Sequence, residues 1–454
     1  MAEPRATDRA VETVETAAEP ASFRFLCQHL REPGDTASDA GVASRTPEMS
    51  AAEWGRVVLA ARRHQVGPLL YSRLCATGAI ADVPESVREA LHRDFLKHAV
   101  RNALLYEELG SIVRALSQEG IPVVVLKGGF LAATVYDHIG HRPMGDLDLL
   151  VPRSQLMAAT AAVRRLGYGF EINGEMPCPD TPEAMETWVT RLRHVPRLFK
   201  PPASGVELHW NLLSFDSGWT TDLEALWTRT RPLRLRDLPV HALAPEDLLL
   251  HVCLHAAHGN DIALDIGLRP LCDIAAVVRR YGGEMDWTQF CTRAREWNGA
   301  RGAVVTLGLA ADLLGAPVPP HCLSALRPPE FDTRWAALAR RQVWTLGERG
   351  TLDMPPLLKR TLIELGRLVA TPVSGRWRLS FRKVIPSRSE WTSNPTVRPG
   401  TPYSWENHRR HMSRMLGRLV RMVAFTVRHP GEAWFLIRTF RSDTRLRAWM
   451  KQGP

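Results

Sequence analysis

The sequence predicts an α+β fold: a small mixed β-sheet with flanking helices, an N-terminal helical cap and a C-terminal helical region. Two observations carry this. Short apolar runs of strand length, at 123–126, 147–151 and 206–210, fall within one block between residues 121 and 213. Before and after that block, apolar residues recur at three- and four-residue spacing instead. Side chains repeat every two residues in a strand and every 3.6 in a helix, so the change of period marks the change of element.

Taken in order, residues 1–48 read as a flexible segment. Residues 1–20 are rich in Ala, Glu and Thr, and 32–48 in Gly, Asp, Ser and Thr, with few large apolar side chains to anchor either. A helical lead-in follows over 49–120. Trp54, Val57, Val58 and Ala61 share a face from Ser50 onward, and a long helix over 87–119 turns Phe95, Leu104, Leu105, Leu109, Ile112 and Leu116 inward. The sheet core occupies 121–240. It reads as strand, helix, strand, helix, then strands around Arg197-Leu198-Phe199 and at 206–210, with Pro201-Pro202-Ala203-Ser204-Gly205 as the turn between the last two. A helical domain over 241–350 starts at Pro245-Glu246-Asp247, ahead of Leu248-Leu249-Leu250. The remaining 351–454 form a basic, mainly helical region. There a Ser-, Thr- and Pro-rich linker at 386–402 precedes a basic amphipathic helix at 408–428, which fits either an anionic surface or a packed helix with a solvated Arg face.

Charge is unevenly placed. Of a net +10, residues 351–454 hold 20 Lys and Arg against 6 Asp and Glu, which leaves the first 350 residues at −4. That asymmetry points the C-terminal region toward something acidic, whether nucleic acid, an anionic membrane contacted peripherally or a phosphorylated partner; an Arg-rich surface with no partner is the plain alternative. Seven scattered cysteines without a Cys-x-x-Cys pair argue against a complete disulfide framework and for a reducing, cytoplasmic setting. The N-terminus lacks the basic start and apolar core of a secretion signal, and no run of 18 uncharged apolar residues suggests a membrane span.

The chemistry concentrates in two short stretches. Val123-Val124-Val125-Leu126-Lys127-Gly128-Gly129 reads as a strand ending in a tight turn, where small residues let backbone N–H groups approach an anion. In Gly145-Asp146-Leu147-Asp148-Leu149-Leu150-Val151 the alternation of a strand puts Asp146 and Asp148 on one face. Two neighbouring carboxylates repel unless a cation sits between them, and hard divalent ions such as Mg²⁺ prefer oxygen ligands. The bland alternative is a solvated pair at a strand end. Lys127 with the N–H groups of Gly128 and Gly129 would hold phosphates, and Arg142 is placed either to reach a phosphate or to tie its loop to Asp137 or Asp146. His251, His255 and His258 form a stripe on one helix near Asp261 and Asp273. Such spacing suits a transition metal, but the apolar surroundings favour packing or cleft-lining roles, His255 facing substrate.

The order Leu-Lys-Gly-Gly, then Arg142-Pro143-Met144-Gly145-Asp146-Leu147-Asp148-Leu149-Leu150-Val151, then a helix ending Leu166-Gly167-Tyr168, resembles the bacterial uncharacterised nucleotidyltransferase family of the DNA polymerase beta-like nucleotidyltransferase superfamily. The likeness extends over roughly residues 50–320, through Glu207-Leu208-His209-Trp210 and Leu271-Cys272-Asp273-Ile274. It departs from the superfamily upstream, since Gly129 lies 17 positions before Asp146. The resemblance implies a nucleotidyltransferase that moves an NMP group from an NTP, with ATP among the donors, to an unidentified acceptor: a small molecule, a protein or a peptide, modified ribosomal peptides included. It implies two Mg²⁺ ions held by Asp146 and Asp148, with Glu207 as third ligand or base, and His209 orienting the acceptor or a carboxylate. Two rivals stay open. One is a non-catalytic nucleotide-binding or scaffolding protein attached through its basic tail; the other is a hydrolase built on His251, His255 and His258.

Overall fold

The structure, a computed structural model, describes residues 19–32, 49–170, 181–191, 193–201, 205–213, 218–258, 267–349 and 403–428, with Leu446, Trp449 and Met450. Four helices come first: α1 (Ala21–Leu30), α2 (Ala51–Arg63), α3 (Gly67–Ala76) and α4 (Glu85–Gln118). The α2 start is set by sequence, because Ser50 and Glu53 form a capping box: Glu53 N–H donates to Ser50 Oγ at 3.3 Å and Ser50 N–H to Glu53 Oε2 at 2.8 Å. The expectation of flexibility over 1–48 fails at α1, where Phe23, Phe25, Leu26 and Leu30 are buried. Residues 1–18 and 33–48 lie outside the described residues, as does the 386–402 linker. On α4, Leu105, Leu109, Ile112 and Leu116 are buried as the spacing requires, but Leu104 is exposed and Phe95 only half-buried. Leu104 precedes Leu105 by one residue, about 100° around the helix, and so falls off the stripe formed by Leu105, Leu109, Ile112 and Leu116.

The core then runs β1 (Val124–Val125), α5 (Lys127–Thr134), β2 (Asp146–Leu150), α6 (Leu156–Arg165), β3 (Gly169–Phe170), α7 (Pro182–Arg191), β4 (Leu198–Phe199), β5 (Gly205–His209), α8 (Leu223–Arg229), β6 (Arg231–Leu235) and β7 (Leu238–Ala242). The strands form a seven-stranded mixed sheet in the order β3-β4-β5-β2-β1-β7-β6. Pairing is parallel for β2 with β5 and for β1 with β7, and antiparallel elsewhere. The central pair has the register Asp146↔Gly205, Asp148↔Glu207 and Leu150↔His209. Its other face is apolar, with Leu147, Leu149, Val206 and Leu208 fully buried. This alternation keeps both aspartates on one side of the sheet.

Helices α9 (Pro245–His258), α10 (Leu268–Tyr281), α11 (Trp287–Glu296), α12 (Ala300–Leu314), α13 (Pro320–Leu326) and α14 (Thr333–Arg349) follow, and α15 (Trp405–Arg428) matches the expected basic helix. Leu416 and Val420 of α15 are exposed. The lead-in helices, the sheet and α9–α13 share one contiguous apolar core. Among the described residues, no helix is long and apolar enough to cross a membrane.

Candidate active site

Asp148 is the centre of the site. Its Oδ1 accepts a hydrogen bond from Lys127 Nζ at 2.6 Å and lies 2.8 Å from His209 Nε2, which in turn lies 3.3 Å from Glu207 Oε2. The β2–β5 register produces this directly. Asp148 and Glu207 are opposite neighbours with side chains on one face, and two residues later His209 returns to that face and turns its ring over both carboxylates. Asp146 stands at the rim, with 37% of its side chain exposed and its Oδ2 3.9 Å from Arg197 Nη2.

Burial alone would raise the pKa of Asp148, but Lys127 and His209 overcome it and hold the carboxyl well below its usual value. Burial likewise opposes Glu207, and the His209 hydrogen bond and charge bring it down to about 2. Asp146 moves the other way: burial raises it, and repulsion from Asp148 and Glu207 adds to that. Three carboxylates therefore share one close ammonium, and the excess negative charge suits a divalent cation. The donors fit one. Oxygens of Asp148 and Glu207 and a ring nitrogen of His209 all lie within 4.8 Å of one another, and among the described residues this is the group able to hold an ion. The three histidines of α9 form no such group. Asp146, expected beside Asp148, shares the face but sits outside that cluster.

The Lys127 turn is held tightly. Lys127 has φ +44°, in the left-handed region that costs a non-glycine residue about 1–3 kcal/mol. Leu126 N–H donates to Asp148 C=O at 2.9 Å and Tyr106 OH to Gly129 C=O at 2.8 Å, pinning both sides of the turn. The glycines answer close approach: a Cβ at Gly128 would fall 2.2 Å from Arg142 Nη1, and one at Gly129 2.9 Å from Val125 Cγ1. The α4 face supplies further braces. Arg101 donates to the carbonyls of Met144 and Gly145, both at 3.0 Å, and Asn102 Nδ2 to those of Ile139 and Arg142 at 2.6 and 2.8 Å.

Arg142 is buried, and its partner is neither Asp137 nor Asp146. Its Nε and Nη2 donate to the two oxygens of Asp273 on α10, at 3.2 and 2.8 Å, and Tyr136 OH donates to the same carboxylate at 2.8 Å. The fork thus backs the Gly128 turn. On α9, His251 is fully buried with neither ring nitrogen hydrogen-bonded, and it stacks on the half-buried His255 at 6.3 Å. Burial first, then Lys127 and Arg193, lower His251 to about 3 and drive His255 well below its usual value, so both face the site as neutral rings. His258 packs edge-on to Trp219 instead, and Asp261 lies outside the described residues.

Sequence reasoning passed over Arg197 and His194. Leu198↔Val206 and Phe199↔Gly205 pair across the β4–β5 hairpin, and Arg197, just ahead of β4, brings its Nη2 to 3.9 Å from Asp146 Oδ2. His194 bridges His209, with rings 5.3 Å apart, and burial followed by His209 lowers it to about 4. Counting register outward from the proline-rich turn would have found Arg197; His194 needed the irregular bridge.

The sequence model of a family described as an uncharacterised nucleotidyltransferase matches residues 50–315. No curated protein and no solved structure matches the chain.

Proposed function

Because the chain belongs to the uncharacterised nucleotidyltransferase family over residues 50–315, we propose that it transfers a nucleoside monophosphate from an NTP to a hydroxyl-bearing acceptor, with Asp146, Asp148 and Glu207 as the acidic residues of the reaction. The supporting observation is the parallel register that sets Asp148 opposite Glu207, with Lys127 against Asp148 at 2.6 Å. A divalent ion, two Mg²⁺ in the family pattern, would be held by these carboxylates and would supply positive charge to the triphosphate.

The residues divide the remaining work. The acceptor oxygen bonds to the α-phosphorus, the bond from that phosphorus to the bridging oxygen breaks, and pyrophosphate leaves. Lys127 and the N–H groups of Gly128 and Gly129 hold the phosphates, and Arg142 supports them from behind the turn. Glu207, opposite Asp148 across the parallel strand pair, is the third acidic ligand or the base that takes the acceptor proton. Asp146, on the same strand face as Asp148 and open at the rim, holds the ion together with Asp148. His209 orients the carboxylates, and His255 lines the acceptor side. The basic 351–454 region would meet an acidic acceptor, a peptide among the candidates, or a membrane surface, and the scattered cysteines suit a cytoplasmic home.

The test is transfer of label from each α-labelled NTP, with Mg²⁺, into the small molecules, peptides and proteins of a host extract. Label should move with the intact protein and fall by at least about 10²-fold in Asp146→Ala and Asp148→Ala, the scale of a lost transition-state contact. NTP binding without transfer would favour a binding or scaffolding protein. Equal transfer by both variants would remove these aspartates from the reaction.

A further inference from the structure

We propose that His209 is itself a ligand of the metal ion, and that the site thereby binds a first-row transition ion of the manganese-to-zinc class more tightly than Mg²⁺. This names the ion of the transfer site proposed above and rests on that reading for its role. The ring is 1% exposed, and its Nε2 approaches two acid oxygens from different strands, Asp148 Oδ1 at 2.8 Å and Glu207 Oε2 at 3.3 Å. Ligand atoms around one ion at about 2.0–2.1 Å stand roughly 2.8–3.4 Å apart, depending on coordination geometry. Both separations fall in that span. Without an ion, one N–H of His209 is shared between the two oxygens as a three-centre hydrogen bond, while Lys127 Nζ holds Asp148 Oδ1 from 2.6 Å. The same spacing lets the neutral ring, its Nε2 free of the proton, share a cation with both oxygens. The donor set then decides the ion: Mg²⁺ is hard and favours an all-oxygen shell, whereas imidazole beside carboxylates suits Mn²⁺, Fe²⁺, Co²⁺ or Zn²⁺.

The experiment uses the full chain with Mn²⁺ as probe and no nucleotide. Electron spin-echo modulation of bound Mn²⁺ should show a directly coordinated nitrogen, and labelling the histidines with ¹⁵N should change that modulation in the unmodified protein. Titration calorimetry should give Mn²⁺ at least about tenfold tighter binding than Mg²⁺. His209→Gln, whose amide keeps a hydrogen bond to Asp148, should lose the nitrogen signal and bring the two affinities to within a few-fold. Affinity loss alone does not discriminate, because removing an outer-shell partner also costs about 10–100-fold. Bound Mn²⁺ without nitrogen coupling overturns the proposal, as does unchanged coupling in His209→Gln or Mg²⁺ binding as tightly as Mn²⁺. Since the readout is metal binding, its failure leaves the label-transfer test untouched, and failure of transfer leaves this result standing.

Discussion

Gly128 shows how closely single residues define this site. Arg142 Nη1 would sit 2.2 Å from a Cβ there, and the guanidinium has no room to retreat because Asp273 grips it at two points and Tyr136 shares the carboxylate. Gly128→Ala is therefore expected to lower stability by about 1–3 kcal/mol, the usual cost of overpacking, read from denaturant midpoints. Breaking the clamp should cost more. Asp273→Ala strands a buried guanidinium, and about 3–5 kcal/mol is expected from the same measurement. Arg142→Ala combined with Asp273→Ala should cost clearly less than the two singles added together. Strict additivity in that cycle would mean that the two groups act independently. The sequence located Arg142 and Asp273 separately. They are 131 positions apart, and nothing local in the chain announces that they meet.

At the scale of elements, strands and helices with a strong period were legible and those with unusual turns were not. β2 and β5 read clearly because apolar residues alternate on a buried face, and α9 because Pro245-Glu246-Asp247 opens it. The β6–β7 hairpin did not. Its turn residues, Arg236 and Asp237, both have positive φ, at 46° and 69°, positions where Asn-Gly or Asp-Gly is the usual signal. Asp237→Gly should relieve left-handed strain and raise stability by roughly 1 kcal/mol, seen as a higher melting temperature. Arg236 is best kept, since its guanidinium lies over the Tyr106 ring that pins Gly129. No change or a loss of stability would show that the turn is unstrained. The helix α1 escaped notice for a different reason. Its ten residues are too few to stand alone, and packing rather than propensity holds them.

For the whole molecule, the buried histidines predict acid lability. His64 and His251 are both fully buried and both lowered by burial to about 3, so they stay neutral in the fold but take up protons once the chain unfolds. The unfolded state then binds more protons below about pH 6.5, and stability must fall as pH falls from there toward 3, by about 1.4 kcal/mol per pH unit for each ring. Melting temperatures between pH 7 and 4 check this; in His251→Gln, if it folds, the slope should become shallower. A flat profile would mean that these rings protonate within the fold. Much was fixed by local sequence alone: an α+β core between helices, the Asp146–Asp148 face, the Lys-Gly-Gly turn and the basic C-terminal composition, because period, turn chemistry and charge are properties of neighbouring residues. The tertiary structure decided that Lys127, Glu207 and His209 converge on Asp148, that Arg142 answers to Asp273, and that Asp146 stands at the rim. Those contacts depend on parallel strand register and on helices distant in the chain, and a one-residue slip of β5 against β2 would turn Glu207 and His209 to the face opposite Asp148.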